Sequence, residues 1–293
     1  MMNLHIGFIG IGVMGKSMAL NIMKAGYPVS VYSRTKSKCE PLLSEGADWK
    51  ESPRAIAEEA DVIITMVGYP SDVEEIYLGA EGLLKYAKPG TYLIDMTTSA
   101  PSLAQKLYAA GKELGLHVLD APVSGGDIGA QNANLAIMVG GDQSDFESMM
   151  PVFKAMGTNI IHQGDAGSGQ HTKLCNQIAI ATNMIGVCEA IVYAEKSGLD
   201  PETVLKSIST GAAGSFSLTN LAPRILKGDF EPGFYIKHFL KDLKIALEES
   251  ERLGLDFPGL TLAKAMYEKL ADMGEENRGT QALYKYYTEA SNQ

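Results

Sequence analysis

Gly10, Gly12 and Gly15 stand in G-x-G-x-x-G spacing within GIGVMG (10–15), directly behind the apolar run LHIGFIG (4–10). The chemistry this allows belongs to the backbone. The first glycine permits a tight turn, the second lets the main chain approach a pyrophosphate, and the third lets a following helix pack against the strand. The first-turn N–H groups, with Val13 and Met14 among them, then face the phosphates. The next strand-like run ends in Tyr32-Ser33-Arg34-Thr35-Lys36, at the place where an Asp or Glu would bond the ribose 2′-hydroxyl of NAD. No acid lies within local reach there. The Arg34 guanidinium, flanked by Ser33 and Thr35, can instead bond a 2′-phosphate in a fork, so NADP is favoured and NAD remains possible. Two further clusters could handle a substrate. Ser124-Gly125-Gly126 joins a hydroxyl to open backbone N–H groups, a combination that suits a carboxylate. Asn176 and Gln177 follow Lys173 by three and four residues, so an ammonium and two amides share one helix face.

The elements that must carry these residues follow from period and punctuation. Residues 4–10, 27–33, 60–67, 91–96, 117–123 and 135–141 are short, rich in Ile, Val and Tyr, and bounded by Gly, Pro or Asp, so they read as strands. Helical stretches lie between them at 13–25, 37–45, 53–59, 72–77 and 101–114. Such alternation implies βαβ units and a mostly parallel sheet. From about residue 167 the strand signal stops. Residues 167–198 contain no proline and end at Gly198, which predicts one long helix bearing Lys173, with further helices near 201–209, 217–226, 236–254 and 258–273. The expected organisation is an α/β Rossmann dinucleotide-binding domain over 1–165 and an all-α domain over 166–293 that starts with a long interdomain helix.

Composition excludes several classes. The 293 residues are 45% hydrophobic and 20% charged, which argues against a largely disordered chain. No uninterrupted apolar run reaches membrane-spanning length and the N-terminus lacks a basic region and cleavage site, so no membrane span and a cytoplasmic location are expected. A net charge of −10 makes nucleic acid an unexpected partner. Yet residues 1–39 contain no Asp or Glu and carry Lys16, Lys24, Arg34, Lys36 and Lys38, so one local site can favour an anion. Cys39, Cys175 and Cys188 are too few and too widely spaced for a disulfide framework, and the five histidines show no metal-ligand spacing, so no metal is expected.

The motifs resemble those of the β-hydroxyacid dehydrogenases, which include 3-hydroxyisobutyrate dehydrogenases, tartronate semialdehyde reductases, and glyoxylate and succinic semialdehyde reductases. GFIGIGVMG (7–15), DAPVSGG (120–126), GSGQHTKLCNQ (167–177) and KHFLKDL (237–243) fall in the family's order over nearly the whole chain. The resemblance implies a 6-phosphogluconate dehydrogenase-like fold and a homodimer or homotetramer. It places Met66 and Val67 near a cofactor ribose, Thr98 on the nicotinamide side, and Lys241 over the cofactor. Hydride transfer to an aldehyde leaves an alkoxide that must be protonated, and Lys173 is the expected general acid/base. Ser124, Gly125 and Gly126 would hold the substrate carboxylate, while Asn176 and Gln177 would hold the substrate or the lysine. Gln177 stands where the family more often has Asn, as in sequences resembling tartronate semialdehyde reductases, which leaves the substrate open rather than the chemistry. Asp120 and Asp127 are assigned no catalytic role, and Phe234 and Phe239 are candidates for shaping the pocket.

The expected activity is an NADP-dependent interconversion of a short 3-hydroxy or 2-hydroxy acid with its semialdehyde or oxo acid. The partner is a small carboxylate-bearing aldehyde or hydroxy acid. Alternatives on the same fold are a 6-phosphogluconate dehydrogenase, whose members are usually much longer, an imine reductase, which typically lacks a lysine at the position of Lys173, and a non-catalytic dinucleotide sensor or protein-binding module. Lys173, Asn176 and the complete Ser-Gly-Gly loop argue against the sensor.

Overall fold

Strand β1 (Ile6–Ile9) sends Ile6 and Phe8 to one face of a sheet and Ile9 to the other, and all three are buried. The computed structural model describes residues 4–288. The remaining strands are β2 (Val29–Tyr32), β3 (Asp48–Trp49), β4 (Val62–Thr65), β5 (Tyr92–Asp95), β6 (His117–Asp120), β7 (Val123–Ser124), β8 (Leu135–Gly140) and β9 (Gly157–Gly164). Their order is β3-β2-β1-β4-β5-β6-β8-β7, with β9 on β8. Pairing is parallel from β3 to β6, antiparallel where β8 meets β6 and β7, and parallel again between β8 and β9. The predicted α/β Rossmann architecture is therefore present.

Both faces of the sheet are covered, which is why its strands read as continuous apolar runs rather than alternating ones. On one face, Phe8, Val31, Ile64 and Ile94 pack with Met18 and Ile22 of the helix Val13–Lys24 and with Phe146, Met149 and Phe153 of the helix Gln143–Lys154. On the other, Ile9, Ile63 and Leu93 pack with Val73 and Tyr77 of the helix Pro70–Leu78 and with Leu107 of the helix Pro101–Glu113. Register brings Tyr32, Ile9, Thr65, Asp95 and Asp120 into one row at the strand C-termini. Ligands of open parallel sheets bind along that edge.

The chain forms two compact units, one ending at Lys173 and the other starting at Leu174. The helix Ser168–Lys196 belongs to both and is 29 residues long. By length and composition alone it could cross a membrane, a property the sequence did not suggest. Ala181, Met184, Cys188 and Ile191 form a buried row along it, spaced as a core helix of a globular unit requires. The second unit is all α and includes the helices Pro201–Ile208, Ile236–Arg252 and Pro258–Leu270. Phe239 is 1% exposed and meets Tyr267 edge-on at 5.1 Å, with Phe234 edge-on to Phe239 at 5.8 Å. Phe239 is thus a core residue, and the expectation that it shapes a pocket is corrected.

Candidate active site

The glycine loop leaves β1 with Gly10 at φ +102°, and a Cβ there would lie 2.2 Å from the Met66 carbonyl oxygen. A Cβ on Gly15 would fall 2.0 Å from the Gly10 carbonyl oxygen, so the close approach of strand and helix needs glycine at both positions. Gly12 differs, because a Cβ built there meets nothing within 4 Å. It caps the helix Val13–Lys24 without a side-chain hydrogen bond, and the first turn holds no acid. The backbone N–H groups of Val13, Met14 and Gly15 and the positive helix end therefore form an anion cradle with an open face, which fits a dinucleotide pyrophosphate.

At the end of β2, Arg34 is 79% exposed and its Nη1 lies 3.0 Å from Asp72 Oδ1. The sequence showed no acid in local reach, yet Asp72 arrives from the first turn of the helix Pro70–Leu78, where its other oxygen accepts the Tyr69 N–H. An exposed pair of this kind is worth about 0–1 kcal/mol, so Arg34 can exchange it for a phosphate at little cost. Ser33 and Thr35 flank Arg34, Thr35 opening the turn Lys36–Cys39. Lys36 Nζ stacks 3.9 Å from the centre of the Trp49 ring. Arg34 is thus held on Asp72 and Lys36 on Trp49.

Next along the row, Met66 donates its N–H to Ile9 and Val67 donates its own to Thr97 Oγ1 at 3.0 Å. Asp95 fixes this loop from below, accepting from Thr65 Oγ1 at 2.8 Å and from the Thr97 N–H at 3.1 Å. Tyr77 completes the buried chain through its hydroxyl contact with Thr65. Burial pushes the Asp95 carboxyl up to about 6, against the opposing pull of the Thr65 and Thr97 hydrogen bonds. Thr98, the residue singled out from sequence, is half-buried beside them, while its neighbour Thr97 makes the bond that holds Val67.

The helix bearing Lys173 is anchored at its first turn. Asp120 Oδ1 accepts the Gly167 N–H at 2.7 Å and Oδ2 accepts that of Gln170 at 2.8 Å. Burial raises the Asp120 carboxyl, and these N–H groups counter the rise. Asp120 thus faces the positive end of the helix and holds its first turn to the sheet. Lys173 follows as a buried lysine at 7% exposure. Ser124 ends β7, and Gly125 at φ +132° and Gly126 at φ +64° turn the chain into the short helix Gly126–Gln131. Those φ values are ones that L side chains rarely adopt, so the turn needs glycine at both positions.

In the second unit, Asn176 donates its Nδ2 hydrogen to Gln177 Oε1 at 2.7 Å, and Gln177 donates from Nε2 to Asp242 Oδ2 at 2.6 Å. Lys241 Nζ lies 2.7 Å from Asp242 Oδ1. Gln177 is fully buried with both ends of its amide engaged in the protein, so it orients Asn176 rather than offering a free amide. Asp242 was missed from sequence, although it stands beside Lys241 in the KHFLKDL motif. Among the described residues no group of three or more His, Cys, Asp or Glu is placed to hold a metal.

Comparison with known proteins bears on these arrangements. Residues 5–164 match the family described as the NAD binding domain of 6-phosphogluconate dehydrogenase, and residues 167–287 match that described as the NAD-binding region of NADP-dependent 3-hydroxyisobutyrate dehydrogenase. The chain is 66% identical to an uncharacterized oxidoreductase of Bacillus subtilis, YkwC, over 96% of this chain and 98% of that protein. It is 49% identical to a probable 3-hydroxyisobutyrate dehydrogenase-like protein of Arabidopsis thaliana, over 96% of this chain and 84% of the relative. Among solved structures it is similar to a 3-hydroxyisobutyrate dehydrogenase of Mycobacterium tuberculosis with L-serine, at 32% identity and a TM-score of 0.88, covering 97% of this chain and 98% of the other. With its glycine cradle, its Ser-Gly-Gly turn and the anchored helix of Lys173, the chain belongs to the β-hydroxyacid dehydrogenase family of NAD(P)-dependent oxidoreductases.

Proposed function

We propose that the protein uses NADPH in preference to NADH to interconvert a short 3-hydroxy or 2-hydroxy acid with its semialdehyde or oxo acid, with Lys173 as the general acid/base. The observation that carries this reading is Lys173 itself, a lysine only 7% exposed on a helix whose first turn is tied to the sheet at the strand C-termini. The nicotinamide, when bound, supplies or takes the hydride. Gly10, Gly12, Val13, Met14 and Gly15 would receive the pyrophosphate, with Met66, Val67 and Thr98 along the next loops. Arg34, with Ser33 and Thr35 beside it, would bond the 2′-phosphate. Ser124, Gly125 and Gly126 would hold the substrate carboxylate, fixing which carbonyl carbon is presented.

In reduction Lys173 Nζ donates a proton to the carbonyl oxygen as negative charge develops there; in oxidation the neutral amine takes that proton back. A positioned donor of this kind contributes about 10²–10⁴-fold. Asn176, oriented by Gln177 and Asp242, would hold the substrate oxygen or the lysine, and Lys241 would contact the cofactor. The preference for a small hydroxy acid draws support from the relatives named for 3-hydroxyisobutyrate and from the L-serine that accompanies the mycobacterial enzyme. The test is the rate of NADPH and, separately, NADH oxidation with glyoxylate, succinic semialdehyde, tartronate semialdehyde and methylmalonate semialdehyde. Turnover of at least one with NADPH preferred is expected. Tight NADPH binding without turnover of any would remove the small-acid reductase reading.

A further inference from the structure

Gln170 sits one helical turn before Lys173, is fully buried, and makes three hydrogen bonds that lead in two directions. Its Oε1 accepts the Ser99 N–H at 2.8 Å and its Nε2 donates to the Thr97 carbonyl at 2.7 Å, so both ends of the amide clasp the loop that follows β5. Its own N–H goes to Asp120 at the end of β6. Thr97 in turn receives the Val67 N–H on its hydroxyl and rests on Asp95. The fit is close: a Cβ on Gly169 would lie 2.4 Å from the Met138 carbonyl oxygen, so the first turn of the helix presses against the sheet with no slack.

Resting on the reading of Lys173 as general acid/base, we infer that Gln170 is a positioning residue that locks the helix of Lys173 to the loop 97–99 and so couples the seating of the cofactor to the placement of the proton donor. The physical ground is that both partners of the Gln170 amide are backbone groups of a loop that also holds Val67. A shift of that loop must move the first turn of the helix, because the alternative is to leave buried donors and acceptors unpaired, at about 1–3 kcal/mol each. The spacing of three residues then carries the displacement to the Lys173 side chain. Proton donation tolerates little of it, since the donor must stay within about 2.6–3.2 Å of its acceptor.

Three variants test this in the full-length protein. Lys173→Ala tests the underlying reading. Gln170→Met keeps the volume and removes the amide. Gln170→Glu is isosteric with glutamine when protonated, donating to Thr97 and accepting from Ser99, and loses the donor when ionised, with the Asp120 carboxyl already bonded to its backbone. The measurements are kcat and KM for the aldehyde substrate between pH 5.5 and 8.5, and NADPH affinity from the fluorescence of the single tryptophan, Trp49.

With Gln170→Met, kcat is expected to fall at least tenfold while KM stays within about threefold and NADPH binding weakens by about 3–10-fold, in keeping with the cost of misplacing a reacting group. For Gln170→Glu the activity relative to wild type is expected to rise as pH falls. A Gln170→Met protein within twofold of wild type in kcat overturns the inference, as does a Gln170→Glu activity ratio that does not change with pH. If Gln170→Met does not fold, the pH dependence of Gln170→Glu decides alone. An active Lys173→Ala would overturn the lysine reading instead; an inactive Lys173→Ala beside an unaffected Gln170→Met would remove only the role of Gln170.

Discussion

The two units of the chain build their functional groups from different materials. In the first, the groups facing the strand C-termini are mostly backbone amides, and the sequence records them as glycines: the cradle 10–15 and the turn at 125–126. In the second, they are side chains locked to one another, with the half-buried Asn176 and Lys241 bonded to the buried Gln177 and Asp242. The contrast teaches that damage to the glycine turns acts by steric exclusion, while damage to the interlocked polar side chains acts by leaving polar groups unpaired.

The sharpest way to break that comparison is at Gly10. Gly10→Ala puts a methyl 2.2 Å from the Met66 carbonyl oxygen at φ +102°, so NADPH affinity is expected to fall more than about 100-fold together with a drop in Tm. Gly12→Ala meets no atom within 4 Å and should leave Tm nearly unchanged while still weakening NADPH, since the methyl intrudes only on a bound pyrophosphate. Equal losses of stability in both variants would contradict the steric account. In the second unit, Asp242→Ala removes the acceptor of Gln177 and the carboxylate facing Lys241. The expected loss is about 3–5 kcal/mol in chemical denaturation, as for breaking a buried ion pair. A loss below about 1 kcal/mol would show that Asp242 is not buried in solution.

Asp95 gives a smaller, pH-dependent effect. Its folded carboxyl stands at about 6 against the ordinary 3.8, so the fold favours the neutral acid. The stabilisation it brings is complete below 3.8 and is lost as pH rises through about 6. Asp95→Asn retains an acceptor oxygen for Thr65 and Thr97 and cannot ionise. Its stability relative to wild type is expected to improve between pH 4 and pH 8, by up to roughly 3 kcal/mol. A difference that is flat across that range would rule the shift out. The smallest stability effect is expected at Arg34: Arg34→Ala should cost under about 1 kcal/mol. Its preference for NADPH over NADH should nonetheless fall by about 10–100-fold, the worth of a charge-assisted hydrogen bond. An unchanged preference would move 2′-phosphate recognition elsewhere.

What could be read from the sequence follows the same division. β1, β2, β4, β5 and β6 were legible because both of their faces are buried and each ends in a turn residue. β3, at two residues, and β9 were not. β9 is mostly half-buried or exposed and owes its form to pairing with β8, a partner that local pattern does not report. The helices Gly126–Gln131 and Gln143–Lys154 were also unassigned; the second carries an internal Pro151, which masks the helical spacing of Phe146, Met149 and Phe153. The glycine cradle and Lys173 were legible because a motif in sequence is a motif in space. The supports were not, because Gln170 reaches Thr97 across 73 residues and Asp120 reaches Gly167 across 47. Asp72 escaped for the same reason, 38 residues from the guanidinium it meets.

The most direct test of the central claim is a stopped-flow measurement of NADPH oxidation at saturating aldehyde, in the wild type and in Lys173→Ala, with NADPH affinity measured on the same samples. The account expects the rate constant to fall by about 10²–10⁴-fold while NADPH affinity changes less than about threefold, because the lysine acts on the proton and not on the dinucleotide. A Lys173→Ala protein that turns over within about fivefold of the wild type at equal NADPH affinity would contradict it, since a proton donor removed at the reacting oxygen cannot leave the rate standing.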